Sequence, residues 1–223
     1  MAKKKIILFI VEGPSDETSL STVLTPERIV SAVWDQVKAF MGVIYRKSDI
    51  CRIVHLTDTD GVFIPDSAVV EDYALDAGAY PHHTETQIQT PDPAAILDRN
   101  RRKRNNINRL STRTEISGIP YSMYYFSSNL DHVLHGKMNL SEWEKIRYAE
   151  EFDLKYGDDP DGFTLFMKES SFSKCDDYRS SWAFIKTELH SLERYTIPRN
   201  TTMRMRATSS STRQRKKHLT IWR

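Results

Sequence analysis

The chain has few cysteines and no long apolar run. The first feature argues against a cysteine-based metal or redox site, and the second argues against a membrane-spanning segment. Cys51 and Cys175 are the only cysteines among 223 residues, and their spacing is not that of a metal or redox site. We therefore expect reduced thiols in a cytoplasmic protein. No apolar segment is long enough to span a bilayer, and the short N-terminal one ends in acid, unlike a signal peptide. The composition thus predicts no association with a membrane.

Acidic residues are also missing from the C-terminal end. Residues 199–223 contain eight Lys or Arg and no Asp or Glu, so the preceding 198 residues carry 24 basic against 30 acidic groups. The formal net charge of +2 therefore combines an acidic body of charge −6 with a basic end. Because this end is poor in apolar residues, we predict that residues 196–223 form a disordered basic tail that could bind nucleic acid weakly.

An apolar run near the N-terminus leads directly to an acid. Residues Ile6 to Val11 are mostly β-branched or aromatic, as in a central strand covered on both faces of an α/β sheet. Gly13-Pro14 ends this strand, and Ser15 or Asp16 can cap a following helix. Glu12 is therefore expected at the carboxyl end of a strand, which is the edge where open α/β sheets bind ligands.

A second apolar strand, within residues 52–64, ends in a pair of carboxylates. Asp58 and Asp60 are separated by one residue, and in a strand this spacing directs both side chains to the same side. Two close carboxylates repel each other unless a cation lies between them. Because oxygen-only ligands suit a hard ion, the pair predicts Mg2+ or Mn2+ rather than zinc.

Taken together, these strand ends resemble the TOPRIM domain. The first strand ends in Glu-Gly with an acid four positions after the glutamate (Glu12, Asp16), and the second ends in Asp-x-Asp-Gly (Asp58, Asp60). The first motif is most similar to that of TOPRIM nucleases of the overcoming-lysogenization-defect (OLD) type and related phage-defence effectors. The resemblance covers residues 4–66 and extends to a predicted strand near residue 120.

This resemblance implies a metal-dependent nuclease, because TOPRIM domains cut or rejoin nucleic-acid backbones with one or two divalent ions. It implies that Asp16, Asp58 and Asp60 are metal ligands, with Mg2+ or Mn2+ as the cofactor. Glu12 would be a metal ligand or a general acid/base, so that Glu12, Asp58 and Asp60 form the catalytic group. DNA or RNA would be the substrate, an ATPase a partner protein, and phage defence the biological setting.

Two other interpretations use the same acids. One is a non-catalytic TOPRIM-like module that binds nucleic acid or a protein. The other is a phosphatase of the haloacid dehalogenase type, in which Asp58 is the nucleophile and Asp60 an acid/base. Its first motif, however, normally lies on the first strand, whereas the strand before Glu12 comes first here. The other parts of such a site would be Ser127 or Ser128, Lys137 or Lys168, and the acidic run at residues 157–161.

Residues 93–110 predict a strongly basic helix. Clustered cations near an acidic metal site suit a phosphodiester substrate, since they can neutralise its phosphates. The alternative is an ordinary solvated helix face. The nucleic-acid-binding candidates are Arg99, Arg101, Arg102, Lys103 and Arg104.

Accessory candidates follow a third predicted strand, at residues 119–126. Asn129 can cap a short helix over residues 130–135, which brings Asp131 and His132 close to the end of that strand. If the strand lies beside the Asp58 strand, Asp131 or His132 could reach the metal or the leaving group. Alternatively, the apolar residues of the helix dock it, and its histidines are half-buried bystanders.

The predicted architecture is α/β, with a TOPRIM-like, Rossmann-like and mostly parallel sheet flanked by helices. This domain would span residues 1–136, followed by an α-helical extension over residues 137–195 that packs on it. Within the domain, residues 16–41 predict a helix broken at Pro26. Only Val43 to Tyr45 offers a further strand before the Asp58 strand. Residues 63–92 have the irregular pattern of a long loop.

Overall fold

A computed structural model describes residues 5–11, 25–76, 78–173 and 177–196. Its fold is mixed α/β with a mostly parallel sheet flanked by helices, which confirms this part of the prediction. Glu12, Asp16, Cys175 and the predicted tail from residue 197 onward lie outside the described residues. No helix in the described part of the chain is long and apolar enough to cross a bilayer.

The described residues form two compact units. The first contains residues 5–11, 25–57 and 97–125, and the second contains residues 58–76, 78–96, 126–173 and 177–196. The chain therefore passes between the units after residues 57, 96 and 125, whereas the sequence placed one boundary at residue 136.

The main sheet contains the four strands β1 (Ile6–Val11), β2 (Ile50–Asp58), β6 (Glu115–Ile116) and β7 (Ile119–Phe126). Their order in the sheet is β1-β2-β7-β6. Strand β1 pairs in parallel with β2, and β6 pairs antiparallel with β7. The interior strand β2 buries the consecutive residues Ile53, Val54 and His55, as expected of a strand covered on both faces.

Strand β1 has the predicted bounds but not the predicted position. In the described part of the chain it lies at an end of the sheet, and Ile7, Phe9 and Val11 are 38%, 42% and 55% exposed. Leu8 is buried. The prediction of a central strand covered on both faces was therefore wrong. The physical reason is that β-branched and aromatic residues favour a strand at an edge as well as in the middle of a sheet.

Helix α1 (Pro26–Met41) begins at its proline, so Pro26 is the first helical residue and does not interrupt a described helix. It buries Ile29, Val33 and Val37, which recur every four residues on one face. The predicted strand at Val43 to Tyr45 is wrong, because these residues form a turn and coil in which Val43 is fully exposed.

A small second sheet replaces the long loop predicted for residues 63–92. Its strands are β3 (Val69–Glu71), β4 (His82–His83) and β5 (Ile88–Thr90), in the order β3-β5-β4. Strands of two or three residues are too short to show the alternation of apolar and polar residues that marks a strand in a sequence. The irregular pattern therefore concealed this sheet.

The predicted helices α2 (Pro93–Ser111) and α3 (Leu130–His135) are confirmed. The side chain of Asn129 caps α3 as expected, accepting a hydrogen bond from His132 N at 2.9 Å. The C-terminal extension is helical in α4 (Glu142–Tyr156), α5 (Pro160–Glu169) and α6 (Tyr178–Ile185). Helix α6 is shorter than the predicted helix over residues 178–192, because turns follow residue 185.

Candidate functional site

The candidate site is built around the acidic loop, which we define as residues 58–61. Asp58 is the last residue of β2, whereas Asp60 lies beyond the strand in the left-handed region, with φ of 48°. Strand alternation therefore does not fix the direction of the Asp60 side chain, contrary to the expectation from its spacing. Both aspartates are half-buried, so each residue remains partly accessible to solvent.

A buried hydrogen-bond network, the Thr59–Ser128–Ser191 network, holds this loop. The Thr59 hydroxyl donates to the Ser191 carbonyl oxygen at 3.0 Å and accepts from Ser128 N at 3.0 Å. The backbone N–H of Asp60 donates to the Ser128 carbonyl oxygen at 2.7 Å. Thr59, Ser128 and Ser191 are all 0% exposed, so water cannot replace a bond that is lost.

The C-terminal segment of residues 191–196 extends this network. Phe63 N donates to the Ser191 hydroxyl at 3.2 Å. Ser127 N donates to the Tyr195 carbonyl oxygen at 2.9 Å, and Tyr195 N donates back to the Ser127 hydroxyl at 2.5 Å. The acidic loop, the turn after β7 and this C-terminal segment are therefore fixed by shared hydrogen bonds.

Left-handed backbone conformations concentrate at this junction. Asp60, Gly61 and Ser128 have φ of 48°, 69° and 53°. For residues other than glycine this conformation costs energy and persists only where the surroundings enforce it, which is common at functional sites. At Gly61, a Cβ atom would lie 2.5 Å from Leu192 Cδ2 and 3.1 Å from Ile88 Cδ1. Glycine is therefore required there for space as well as for φ.

His83 is a site residue that the sequence did not single out. Its Nδ1 lies 3.3 Å from the Ser128 hydroxyl oxygen. The carbonyl oxygen of Ser128 in turn accepts the hydrogen bond from Asp60 N. Its backbone exchanges hydrogen bonds with the Asn139 side chain, through His83 N at 2.8 Å and His83 O at 2.7 Å. An imidazole held at Ser128, the residue that binds the backbone of the acidic loop, is a candidate for proton transfer. Only the tertiary structure brings it to Ser128, because the two residues are 45 positions apart in the sequence.

Asp131 and His132 face different neighbours. His132 is 3% exposed, with Nε2 3.7 Å from Glu85 Oε1. Burial lowers the pKa of His132, against the opposing effect of the Glu85 carboxylate. Burial raises the pKa of Asp131, and the nearby His135 and Lys145 oppose this. These contacts favour the interpretation that α3 is docked and that its ionisable groups are structural.

The basic helix α2 presents only part of its predicted cationic set to solvent. Arg101 and Arg102 are exposed, and both form ion pairs with Asp98. Arg99 is half-buried and donates to Asn100 Oδ1 through Nε at 3.1 Å and Nη2 at 2.8 Å. Arg104 is also half-buried. The outward charge available to a phosphate backbone is therefore centred on Arg101 and Arg102.

Lys103 belongs to the interior instead. It is 2% exposed and lies on the same helical stripe as the buried residues Asn100 and Ile107. This inward position could have been read from the sequence, because Lys103 keeps the three- and four-residue spacing of that stripe. Burying an ammonium is costly unless it is paired. Its charge thus acts inside the protein and not on a polymer at the surface.

The chemistry of the acidic loop fits the metal expected from the sequence. Two half-buried carboxylates supply oxygen donors of the kind preferred by Mg2+ and Mn2+. Within residues 5–11, 25–76, 78–173 and 177–196, no three His, Cys, Asp or Glu side chains are grouped as a metal site. Glu12 and Asp16, the other expected ligands, lie outside these ranges.

Comparison with known proteins yields no relative. No family model, no curated protein and no solved structure matches this chain.

We expect Gly61→Ala to destabilise the protein more than Gly78→Ala does. Both glycines have positive φ, of 69° and 86°, but a Cβ at position 78 would meet nothing within 4 Å. Gly78→Ala should cost about 1–2 kcal/mol from the left-handed conformation alone, and Gly61→Ala roughly 1–3 kcal/mol more from overpacking. Urea denaturation measures both values. Equal losses would show that Leu192 and Ile88 do not confine the loop.

We expect protein stability to fall as the pH drops from about 7 to 5. Because burial makes the folded-state pKa of His132 lower than its unfolded value of about 6.5, the unfolded state binds the proton more tightly. The stabilisation is therefore complete above that value and is lost below it. Glu85 and Arg194 are the charged groups that also act on this imidazole.

The variant His132→Gln should flatten this pH dependence, leaving the part due to His135, whose pKa burial also lowers. The control His82→Gln changes an exposed histidine and should leave the slope as in the wild type. The measurement is the urea midpoint across this pH range. If the slopes of wild type and His132→Gln coincide, burial of His132 does not govern acid stability.

Proposed function

We propose that this protein is a divalent-metal-dependent nuclease with a TOPRIM-like site, in which Asp58 and Asp60 are the acids of the acidic loop. The observation that supports this most strongly is the way the loop is held. A buried network and two left-handed non-glycine residues fix a pair of carboxylates at the end of an interior strand. Backbone strain that is maintained in this way is typical of a functional site.

The pairing of the first two strands supports Glu12 as a partner of this pair. Val11, the last residue of β1, lies opposite Leu56, two residues before Asp58. Because β1 and β2 are parallel, the chain leaves both strands at the same edge of the sheet. The residue after Val11 is Glu12. This register is the one that a site shared by both motifs requires.

In this proposal Asp58 and Asp60, with Glu12 and Asp16, would hold Mg2+ or Mn2+. Such an ion would orient a phosphodiester, activate a water and stabilise the leaving oxygen. His83 would exchange a proton close to the acidic loop, since its imidazole is held at Ser128. Arg101 and Arg102 would contact phosphates of the nucleic acid and position it.

The phosphatase interpretation receives less support from the same geometry. It needs a serine hydroxyl after β7 that can contact a phosphate. Ser127 and Ser128 are both 0% exposed. The hydroxyl of Ser127 is engaged with the Glu193 carbonyl oxygen and Tyr195 N, and that of Ser128 with His83. A substrate could reach neither hydroxyl without breaking the network that holds the acidic loop.

We expect the purified protein to cleave nucleic acid in the presence of Mg2+ or Mn2+ and not in EDTA. Asp58→Asn and Glu12→Gln should each lower the rate by at least about a hundredfold, because each removes a charge from the ion site. The control Asp76→Asn neutralises an exposed aspartate and should keep the wild-type rate. Plasmid DNA, single-stranded DNA and RNA serve as substrates, and gel analysis gives the rates.

Other outcomes separate the competing classes. If all variants and the wild type are inert, while nucleic acid binds equally with and without Mg2+, the protein is a binding module and the nuclease proposal fails. Turnover of small phosphomonoesters that is abolished by Asp58→Asn would instead assign a phosphatase. Cleavage that persists in Asp58→Asn would exclude the acidic loop as the reacting site.

A further inference from the structure

Helix α4 has two opposite apolar faces, and only one of them is covered. At 100° per residue, Tyr148, Phe152 and Tyr156 lie on one side of the helix. This inner face packs on aromatic neighbours. The ring of Tyr148 stacks on that of His135 with 5.2 Å between the ring centroids, and the ring centroids of Phe152 and Phe163 are 6.0 Å apart. The inner face therefore explains how the helix is attached to the second unit.

The outer face is apolar although nothing in the described part of the chain buries it. Trp143, Ile146 and Leu154 fall within about 80° of one another on the side opposite the inner face. They are 68%, 60% and 88% exposed. Large apolar side chains grouped on one exposed face are typical of an interaction surface, whereas scattered ones are not.

The surroundings of this face are acidic. Residues 141–161 contain eight Asp or Glu and three Lys or Arg, a net charge of −5. Among them, Glu150 and Asp153 lie on exposed positions close to the apolar stripe. The surface therefore fits a segment that is basic and carries its own apolar side chains, and it would repel a second copy of itself.

The chain contains one such segment. Residues 199–223 hold eight Lys or Arg and no acid, and they include the apolar residues Leu219, Ile221 and Trp222. We propose that the outer face of α4 is a docking surface for this basic C-terminal segment of the same chain.

The place where the described chain ends supports this assignment. Thr196 N donates to the Phe172 carbonyl oxygen at 3.1 Å. The ring centroids of Phe172 and Phe166 are 5.6 Å apart, and those of Phe166 and Tyr156, which belongs to α4, are 5.4 Å apart. Thr196, the last described residue, therefore lies beside the aromatic cluster that includes Tyr156 of α4. The outer stripe is about 16 Å long at 1.5 Å per residue, which roughly five extended residues can cover.

Tethering makes even a weak contact effective. A segment attached by a short linker is present at an effective concentration on the order of 1 mM, so a dissociation constant of about 0.1 mM keeps it docked roughly 90% of the time. Cleavage of the segment by trypsin should then be slowed about tenfold. Because the contact is partly electrostatic and exposed, salt at about 0.5 M should reduce the protection.

The test is limited trypsin digestion of the full chain, with loss of the C-terminal segment followed by mass spectrometry. The variant Trp143→Ser/Leu154→Ser should release the segment and raise its cleavage rate about tenfold. The charge-neutralising variant Glu150→Gln/Asp153→Asn should do the same without removing an apolar group and without adding a trypsin site. The control Val43→Ser/Ile44→Ser removes two exposed apolar side chains elsewhere and should cleave as the wild type does.

If the segment is cleaved at the same rate in the wild type, both outer-face variants and the control, the proposal is overturned. Protection that disappears on dilution of the protein would also overturn it, because the segment would then dock on another copy. Circular dichroism of each variant confirms that α4 is still formed.

Discussion

The Thr59–Ser128–Ser191 network is the constraint on which the candidate site depends. One threonine hydroxyl joins three stretches of chain that are far apart in sequence, and all three residues are inaccessible to water. Leaving a buried donor or acceptor unsatisfied costs about 1–3 kcal/mol, so the bonds of the network favour forming together. The left-handed conformations of Asp60 and Ser128 are affordable only because this network surrounds them. The uncharged hydrogen-bonding groups of this network thus fix the loop that carries the two carboxylates.

Acidic and basic residues are concentrated in different parts of the chain. Carboxylates occur at the acidic loop and along α4, whereas exposed arginines lie on α2, and residues 199–223 contain eight Lys or Arg and no acid. A basic segment that docks on α4 would be withheld from nucleic acid, and a nucleic acid would compete for it. In this view the proposed nuclease site and the proposed docking surface are linked through the positive charges of residues 199–223.

The sequence predicted the bounds of those elements that carry a clear local signal, such as an apolar run or a helix-capping residue. The bounds of β1, β7 and α3 follow from apolar runs and from the Asn129 cap. The edge position of β1 could not be predicted, because strand propensity does not encode neighbours. The small sheet from Val69 to Thr90 was missed since its strands are too short to show a period. The role of Ser191 depends on a partner more than 100 residues away, Thr59, and no local pattern reports such a contact.

We expect the buried network to position Asp58 and Asp60 so that they hold a divalent ion. The most direct test is a titration of the full chain with Mn2+, in which electron paramagnetic resonance measures the free ion, for the wild type and for Thr59→Val. We expect saturable Mn2+ binding that Mg2+ displaces, and weaker binding in Thr59→Val, which keeps both carboxylates but loses the hydroxyl. Absence of binding in the wild type, or equal binding by the two proteins, would contradict it.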